Sequence, residues 1–510
     1  MRKLVVLYSL AKPAHAVRLV LAVQFKVGAA HINVIFHILK KEVGMLEYDS
    51  VVNPMDMLLY RGKLSTPEMR KVWCEENIIR QRLRVEATLA EVQAEMGMIP
   101  QEAAREIAKK ATLEYVTPEQ YTKMYDLKGH DIVALIWTLA PQCENGAGEY
   151  VHWRSTTQDI LWTSTALMFK DGMNLLLKDF RAAEAVMTDL AEKHKLTLMA
   201  ARTHGQHCPP MTFGYYLAVL AYTVRRHIER LKACADRLLV GKFSCAVGTG
   251  SSYGPAEVSL ELQRRVCEKL GLGVPPITEI EITRDRVQEV GNVCAMAATT
   301  FEKLGRDISL SQRPEFGEME EPFRTGDQVG SSTLAHKRNP FGVEWVQGAA
   351  KMIRAHAYPL NELYCNDVRD GVRLSVEYMG MPAIFCMTAA MLQGATKILS
   401  GLTVNADRMR QNMEIQHGLY MDEPVMLCLA DHVGRQTAHD LIYDCAMAAF
   451  QEKRPFLEVL LEDKTILKHL NEEQIREAMD PENYLGTIPN QVESAVNAIR
   501  EARGKDPDAF

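Results

Sequence analysis

One long amphipathic segment, residues 75–97, constrains the fold of this chain more than any other feature. It reads EENIIRQRLRVEATLAEVQAEMG, and its apolar residues recur near helical spacing at Ile79, Leu83, Val85, Leu89, Val92 and Met96. The preceding stretch STPEM offers a capping residue with Pro67 at the first helical position, and Gly97 ends the pattern. The periodicity predicts a helix well beyond the average of about 11–12 residues.

Long helical patterns recur along the chain, with few alternating runs that would indicate strands. They cover residues 160–194, 215–240, 284–310, 343–363 and 379–402. Helices of this length favour an elongated all-α bundle. We place the boundaries near Gln158 and Val404, where motif-bearing loops or polar residues interrupt the helices. The predicted regions are an N-terminal extension (1–55), an N-terminal helical domain (56–158), a central bundle (159–404) and a C-terminal helical domain (405–510).

The composition is that of a soluble globular protein, with 47% hydrophobic and 24% charged residues among 510. A net charge of −6 and the absence of a lysine or arginine block give little support to nucleic-acid binding, whereas acidic small molecules remain possible ligands. The eleven cysteines are scattered singly without a CxxC pair, which argues against a zinc site and a disulfide framework. We therefore expect a cytoplasmic protein.

The first 44 residues are apolar and basic. Lys12, Arg18 and Lys26 interrupt them, so no run approaches the ~18–20 apolar residues that a membrane helix needs. The stretch also lacks the single apolar core and the cleavage site of a secretory signal. We expect an extension outside the folded body, with Met45 as an alternative start.

Three polar clusters punctuate the predicted helices. They are KGHDIVA with His130 and Asp131, EYVHWRSTTQDI with His152, Ser155, Thr156, Thr157, Gln158 and Asp159, and AARTHGQHCPPMTFG with Arg202, Thr203, His204 and Gln206. Each has an ordinary structural explanation, because such residues cap helices and hydrogen-bond in loops. Hydroxyl groups at a helix start also form a ready site for a carboxylate or phosphate. Local sequence leaves both interpretations open.

A fourth cluster, QVGSSTLAHKRNPFGVEW, has a coherent chemical use. Removal of a proton next to a carboxylate creates a doubly charged intermediate, which needs preorganised donors and a cation. Lys337 supplies a charge, Asn339 supplies amide donors, and Gly330 lets backbone N–H groups approach. Ser331 is a base only if its hydroxyl is strongly activated. Viewed alone, the stretch also fits a plain polar loop.

Together, the four clusters resemble the aspartase/fumarase superfamily. GSSTLAHKRNP resembles its signature loop, and GHDIVA, HWRSTTQD and RTHGQ match in order and spacing, with CAVGTG and GEMEEPF in further agreement. The similarity runs from about Tyr60 to the C-terminus. The first and third clusters look most like the branch that holds adenylosuccinate lyase and carboxymuconate cycloisomerase.

The resemblance implies an all-α, three-domain fold with a central long-helix bundle that assembles into a homotetramer. Each active site would be built by three subunits, so that separated clusters meet across chains. The implied reaction is an anti β-elimination that cleaves a C–N bond of a small anionic succinyl substrate and releases fumarate. The resemblance implies no metal and no organic cofactor.

The resemblance also assigns roles by position. Ser331 is the base, His204 the general acid, Glu344 the residue that orients His204, and Lys337 with Asn339 the clamp on the substrate carboxylate. The expected substrate-binding residues are His130, Asp131, His152, Thr156, Thr157, Gln158, Thr203, Gln206, Ser332, Asn339, Arg369 and Arg373.

Departures from the family pattern leave the substrate open. Lys63 and Leu64 stand where adenylosuccinate enzymes have an Arg-Tyr pair, and Tyr378 replaces an arginine that helps bind phosphate, with Arg373 nearby to compensate. Leu334-Ala335 replaces Met-Pro in the signature loop, which frees its backbone. Two alternatives therefore stand beside the lyase: a carboxymuconate cycloisomerase and a non-catalytic structural member of the fold.

Overall fold

The structure is a computed structural model that describes residues 51–278, 283–363 and 371–510. The chain divides into two units, Met1–Tyr60, described from residue 51, and Arg61–Phe510. The predicted extension therefore lies outside the described residues up to residue 50, as does the alternative start at Met45. The second unit contains all four polar clusters.

The second unit opens with helices around one long helix. Their bounds are α1 (Arg61–Leu64), α2 (Pro67–Trp73), α3 (Glu75–Glu95), α4 (Gln101–Lys110), α5 (Pro118–Lys128) and α6 (Asp131–Leu139). Thr66 is a helix cap as predicted, since its hydroxyl accepts the Met69 N–H at 3.2 Å. It caps the short helix α2 and not the long one, because the extended backbone at Cys74 separates α2 from α3. The helix predicted from the amphipathic segment is α3, which ends just before Gly97, a glycine with a φ of +72°.

Long helices form the centre of the unit. They are α7 (Thr157–Lys193), α8 (Phe213–Leu238), α9 (Ala256–Leu270), α10 (Asp285–Ser311), α11 (Phe341–Leu360) and α12 (Val372–Ser400). The longest, α7, has 37 residues and spans about 55 Å at the usual helical rise. It packs on α8 and α12, while α11 packs between α10 and α12. The all-α class predicted from helical spacing is confirmed.

The chain ends in shorter helices. They are α13 (Ala406–Met413), α14 (Asp422–Val433), α15 (Arg435–Glu452), α16 (Phe456–Glu462), α17 (Glu472–Ala478) and α18 (Ile488–Gly504). Helices α14 to α17 pack around a separate apolar cluster that contains Leu429, Ile442 and Phe456. Helix α18 returns to the long helices, and Asp506 beyond it is 2.8 Å from Arg225 of α8. The division into three domains remains a prediction.

Two short antiparallel ribbons interrupt the helices. Strands β1 (Leu198–Thr203) and β2 (Gln206–Thr212) form a hairpin, and β3 (Met319–Glu320) pairs with β4 (Thr403–Val404). The hairpin turn is His204-Gly205, with φ values of +52° and +79°. Positive φ at both turn residues is the two-residue turn that suits the twist of a hairpin. The sequence interpretation did not predict strands in this cluster.

One described helix, α12, is long and apolar enough to cross a membrane by length and composition, with a mean hydropathy of 1.3. Most of its apolar stretch, 67%, is buried inside the protein against the neighbouring helices. An all-round apolar helix in the core of a large protein has the same composition.

Candidate active site

Three buried polar residues form a polar stripe on one face of α3. Arg82, Glu86 and Gln93 are separated by four and seven residues, a spacing that places side chains on one helix face. Their exposed fractions are only 6%, 2% and 0%. Buried polar groups are costly unless they are paired, so each member needs a partner. Each member has a partner in one of the polar clusters that the sequence predicts to be functional.

Arg82 holds the start of the His130–Asp131 cluster. Its guanidinium donates to the Asp131 carboxylate at 2.7 Å and to the Tyr121 hydroxyl at 2.6 Å, and that hydroxyl also contacts Asp131. Burial, reinforced by the Asp131 charge and opposed by Arg82, raises the pKa of Tyr121 well above its usual range. Asp131 therefore anchors its own helix to α3 and α5, and its contact with substrate stays a prediction.

His130 is the capping residue of α6. Its Nδ1 accepts a hydrogen bond from the Val133 N–H at 3.3 Å, and its ring is exposed. An Nδ1 that accepts requires the proton of a neutral ring to sit on Nε2. The cap therefore presents an N–H donor to the solvent side, which is compatible with the predicted contact to a substrate anion.

Glu86 holds His152. The Nδ1 of His152 lies 2.7 Å from the Glu86 carboxylate, and Gln93, two turns further along α3, donates to the Trp153 carbonyl at 2.7 Å. His152 has a φ of +59°, an uncommon conformation for a residue with a Cβ. Burial lowers the pKa of His152, but the neighbouring Glu86 carboxylate outweighs it and the pKa is raised. The ring is thus held in one orientation with its charged form favoured.

The third part of this group is the start of α7. Thr156 precedes the helix, Thr157 begins it, and Gln158 follows, all half-buried. The Asp159 carboxylate accepts the Thr156 N–H at 3.3 Å and is itself fully buried beside Lys242, at 2.7 Å. The first-turn N–H groups of a long helix favour an anion, in line with the predicted carboxylate site.

Asp159 also draws a second segment to the same helix start. Its carboxylate accepts the backbone N–H groups of Ser244 and Cys245, at 3.1 and 3.3 Å, and the Tyr253 hydroxyl at 2.9 Å. These partners belong to the stretch that contains CAVGTG. We call the residues around His130, His152 and Thr156 the α3 group.

His204 lies at the exposed tip of the β1–β2 hairpin, between Thr203 and Gln206, which are also exposed. The Thr203 hydroxyl lies 3.0 Å from the Cys208 sulfur, a contact across the hairpin. The hairpin is fixed from the side by Arg202, which donates two hydrogen bonds to Glu318, at 2.6 and 3.2 Å. The fixed hairpin projects the histidine away from the protein body.

Residues 328–340 form the GSS loop, which is held by its own polar groups. The Ser331 hydroxyl accepts the N–H groups of Thr333 and Leu334, at 3.3 and 3.1 Å, and the Asn339 amide donates to the Gly330 carbonyl at 2.7 Å. A Cβ at Gly330 would lie 1.9 Å from the Lys337 carbonyl oxygen, so this position requires glycine. Ser332 and Lys337 are exposed on the same loop.

An acidic segment, residues 318–321, connects the hairpin with the GSS loop. Glu318 receives Arg202, and Glu320 pairs with Arg338 of the loop at 2.9 Å. Glu321 accepts the N–H groups of Gly342 and Val343, at 3.0 and 2.9 Å, at the start of α11. One short segment thus positions the elements that carry His204, Ser331 and Glu344, which we call the hairpin group.

The chain brings its predicted site residues together in these two groups. No hydrogen bond or ion pair among the residues that the structure describes joins the α3 group to the hairpin group. Glu344 is exposed on the first turn of α11 and forms no described bond to His204. Arg373 is buried near the α3 group. Burial raises the pKa of Tyr378 there, and the charges of Arg82 and Arg373 oppose this increase. Arg369 lies outside the described residues.

Several residues that build the site were missed in the sequence. They are Arg82, Glu86, Gln93, Tyr121, Lys242, Glu318, Glu320 and Glu321. Local spacing gave no clear signal for them, because polar residues lie both on the buried face of α3, as in the polar stripe, and on its exposed face. Within the described part of the chain, no three or more His, Cys, Asp or Glu residues are grouped to hold a metal ion.

The long-helix bundle and its polar loop groups define a lyase of the fumarase type. Residues 61–355 match the family profile described as Lyase, and residues 418–495 match the profile described as Adenylosuccinate lyase C-terminus. The chain therefore belongs to the aspartase/fumarase superfamily, in its adenylosuccinate lyase-like branch.

Individual proteins agree with this placement. An adenylosuccinate lyase from Methanocaldococcus jannaschii is 38% identical over 89% of this chain and 97% of its own. An N-acetyl-S-(2-succino)cysteine lyase from Dickeya dadantii is 36% identical over 87% and 96%. The solved 3-carboxy-cis,cis-muconate lactonizing enzyme from Pseudomonas putida has a TM-score of 0.79 and 29% identity, over 87% and 99%. The chain is a fumarate-releasing lyase.

Proposed function

We propose that this lyase cleaves a C–N bond of a succinyl substrate by anti β-elimination, with Ser331 as base and His204 as acid. Ser331 takes the proton from the carbon next to the substrate carboxylate, a C=C bond forms, and the C–N bond breaks as His204 protonates the leaving nitrogen. The products are fumarate and an amine.

The observation that carries this proposal is the hydrogen bonding of Ser331. Its oxygen accepts two backbone N–H groups, from Thr333 and Leu334. Donors directed at an oxygen favour its charged form, which lowers the cost of removing the serine proton. An unactivated serine is a poor base, so these donors supply the activation that the chemistry needs.

The other residues have roles that follow from their positions. Lys337 and Asn339, on the same loop, hold the substrate carboxylate and the charge that develops on it. The α3 group holds the far end of the substrate: His130 and His152 contact it, and the start of α7 at Thr156 and Thr157 receives a carboxylate.

We further propose a homotetramer in which three subunits build each active site, so that the α3 group of one subunit meets the His204 hairpin and the GSS loop of others. Two observations support shared sites: the groups are not joined within the described chain, and the long helices expose large apolar residues. These are Val219, Tyr222, Met296, Met352, Tyr358 and Met379. Apolar helix faces of this kind are buried when bundles associate.

Complementation between inactive variants tests shared sites. Ser331→Ala damages only the hairpin group and His152→Asn only the α3 group. In a random mixture of the two variants, each group of a site comes from an intact source with a probability of about one half. About a quarter of the sites should therefore receive two intact groups, and about a quarter of the activity should return. Light scattering on the same samples gives the subunit number. An active monomer, or no recovery after confirmed subunit exchange, would reject the shared site.

The substrate is proposed by class. The two relatives above carry names with a succinyl group on different partners, one a purine nucleotide and one a cysteine sulfur. An ultraviolet screen for fumarate with adenylosuccinate, argininosuccinate, aspartate, N-acetyl-S-(2-succino)cysteine and carboxymuconate separates the choices. Turnover of an N-succinyl compound supports the proposal. Turnover of the sulfur compound alone would show that the enzyme cleaves a C–S bond and not a C–N bond.

The second candidate, a carboxymuconate cycloisomerase, is favoured by the fold similarity to the Pseudomonas putida enzyme. It is accepted if no succinyl compound releases fumarate and only carboxymuconate is consumed, which the loss of its own ultraviolet absorbance would show.

A cytoplasmic location is our remaining proposal, and it is supported by the cysteines. All ten that the structure describes are free thiols, as a reducing compartment allows. Fractionation of cells that express the chain tests it.

A further inference from the structure

The orientation of His152 follows from its contact with Glu86. A carboxylate can only accept a hydrogen bond, so the proton between them belongs to Nδ1 of His152. The contact is 2.7 Å long, and the Glu86 side chain is almost fully buried at 2% exposure. Nε2, on the opposite side of the ring, is then the nitrogen that faces any ligand. The His152 side chain retains 14% exposure for such a contact.

The backbone around His152 is fixed as tightly as the ring. His152 and Arg154 both have positive φ, of +59° and +60°. Gln93 holds the Trp153 carbonyl between them at 2.7 Å, and the Ser252 hydroxyl donates to the Arg154 carbonyl at 2.6 Å. Uncommon backbone conformations persist where the surroundings determine them, and they cluster at ligand sites.

The charges that face His152 are both negative. Glu86 approaches from α3, and Asp159 acts from the first turn of α7. Lys242 and the Tyr253 hydroxyl hold Asp159, which leaves Glu86 as the partner in direct contact with the ring. Burial opposes a charged ring, but the Glu86 carboxylate outweighs it. A charged ring donates from both nitrogens.

We propose that Glu86 is a positioning residue that keeps the His152 imidazole protonated, so that its Nε2–H binds an anionic group of the substrate. The identity of that anion rests on the proposed function, whereas the protonation of His152 does not. Glu86 acts through His152 and does not itself touch the substrate. Because Glu86 is buried on α3, the helix fixes the carboxylate that favours the charged form of His152.

Hydrogen–deuterium exchange at the C2 carbon of His152, followed by mass spectrometry over a pH series, measures its pKa in the intact protein. In the wild type the midpoint should lie above the ordinary value of about 6.5. Glu86→Gln keeps a hydrogen-bond acceptor without the charge, and the midpoint should fall by about one pH unit or more. A wild-type midpoint below the ordinary value overturns the proposal, even if the variant does not fold.

Steady-state kinetics of the same variant separate charge from packing. For the succinyl substrate, KM of Glu86→Gln should equal the wild-type value at pH 6 and exceed it about tenfold at pH 8, with kcat within about threefold. Packing damage would raise KM equally at both pH values, and that outcome overturns the proposal. Glu86→Asp, which restores the charge, should recover part of the effect.

Glu91→Gln is the matched control. Glu91 lies on the same helix but is exposed and faces Lys269 at 3.5 Å, so neither the midpoint nor KM should change.

The role of Glu86 and the proposed function can be rejected independently of each other. If no succinyl compound reacts, the proposed function is rejected, while a raised midpoint that falls in Glu86→Gln still supports the role of Glu86. If turnover is normal and the midpoint does not move in the variant, the role of Glu86 is rejected alone.

Discussion

Glu318 accepts two hydrogen bonds from the Arg202 guanidinium and so ties the hairpin of His204 to the segment that supports the GSS loop. The carboxylate also accepts the Asn412 amide at 2.8 Å and is only 1% exposed. Two elements far apart in sequence are thereby held by one buried group. The placement of the His204 hairpin and of the GSS loop within one chain depends on this contact.

Replacing Glu318 by glutamine should weaken both stability and catalysis. The substitution removes a buried carboxylate that accepts two hydrogen bonds from Arg202, and the guanidinium loses its charged partner. The free energy of unfolding should fall by about 2–4 kcal/mol. Movement of the hairpin should lower kcat at least about tenfold. Urea denaturation and fumarate kinetics measure both. Glu320→Gln breaks only a half-exposed pair and should cost about 1 kcal/mol or less. Equal effects of the two variants would contradict this account.

The GSS loop should not tolerate a side chain at Gly330. The added methyl group would meet the Lys337 carbonyl at 1.9 Å and push the two ends of the loop apart. A displacement of about 1 Å at a reacting group costs on the order of a hundredfold in rate, so kcat of Gly330→Ala should fall by that amount. Melting followed by circular dichroism should change little, because the loop is largely exposed. Gly504→Ala, with open space around it, is the control and should remain fully active. Normal activity in Gly330→Ala would show that the loop is not held as described.

The buried pair of Lys242 and Asp159 should stabilise the start of α7. Both side chains are 0% exposed, and removal of one charge leaves the other buried without compensation. Lys242→Met should therefore lower the free energy of unfolding by about 3 kcal/mol. The double variant Lys242→Met/Asp159→Asn should recover at least about 1 kcal/mol relative to the sum of the single changes. Strict additivity in urea denaturation would show that the two groups act independently.

Asp179 on α7 predicts a dependence of stability on pH. Burial raises its pKa from 3.8 to about 6, against a hydrogen bond from Gln393. The folded protein thus holds this proton more tightly than the unfolded chain, and stability falls as the pH rises from about 4 to about 6. Asp179→Asn removes this loss and should raise the free energy of unfolding at pH 7 by about 1–2 kcal/mol. Asp189, on the same helix, pairs with Arg500 at 3.3 Å, but both side chains are exposed, so Asp189→Asn should change the free energy of unfolding by about 0.5 kcal/mol or less. If Asp179→Asn is no more stable than the wild type at pH 7, the assignment is wrong.

Helical spacing predicted the bundle well, because long helices carry their own pattern. The helix predicted from residue 160 begins at Thr157, since Thr156 and Asp159 supply a polar start that apolar spacing does not count. The helix predicted from residue 379 begins at Val372, because its first residues, VRLSVEY, alternate apolar and polar side chains and so do not follow helical spacing. The hairpin around His204 was not predicted, because β2 contains two adjacent prolines, which argue against a strand in the sequence.

The site was predicted only as far as its loops, and the supporting residues were not. Arg82 and Asp131 are 49 residues apart, Glu86 and His152 66, and Arg202 and Glu318 116. Nothing in local spacing tells a buried glutamate on α3 from a solvent-exposed one, so these partners became visible only in the folded chain. The acidic segment was noted only as part of a resemblance.

Fumarate release by Ser331→Ala tests the central claim most directly. With the best succinyl substrate from the screen, the wild-type protein should produce fumarate, and the variant should lose at least about a thousandfold in kcat with KM within a few-fold. Thr333→Ala, at an exposed position on the same loop, keeps the backbone N–H that Ser331 accepts, so it controls for disturbance of the backbone and should retain most activity. Turnover by Ser331→Ala within a few-fold of the wild type would show that another group removes the proton.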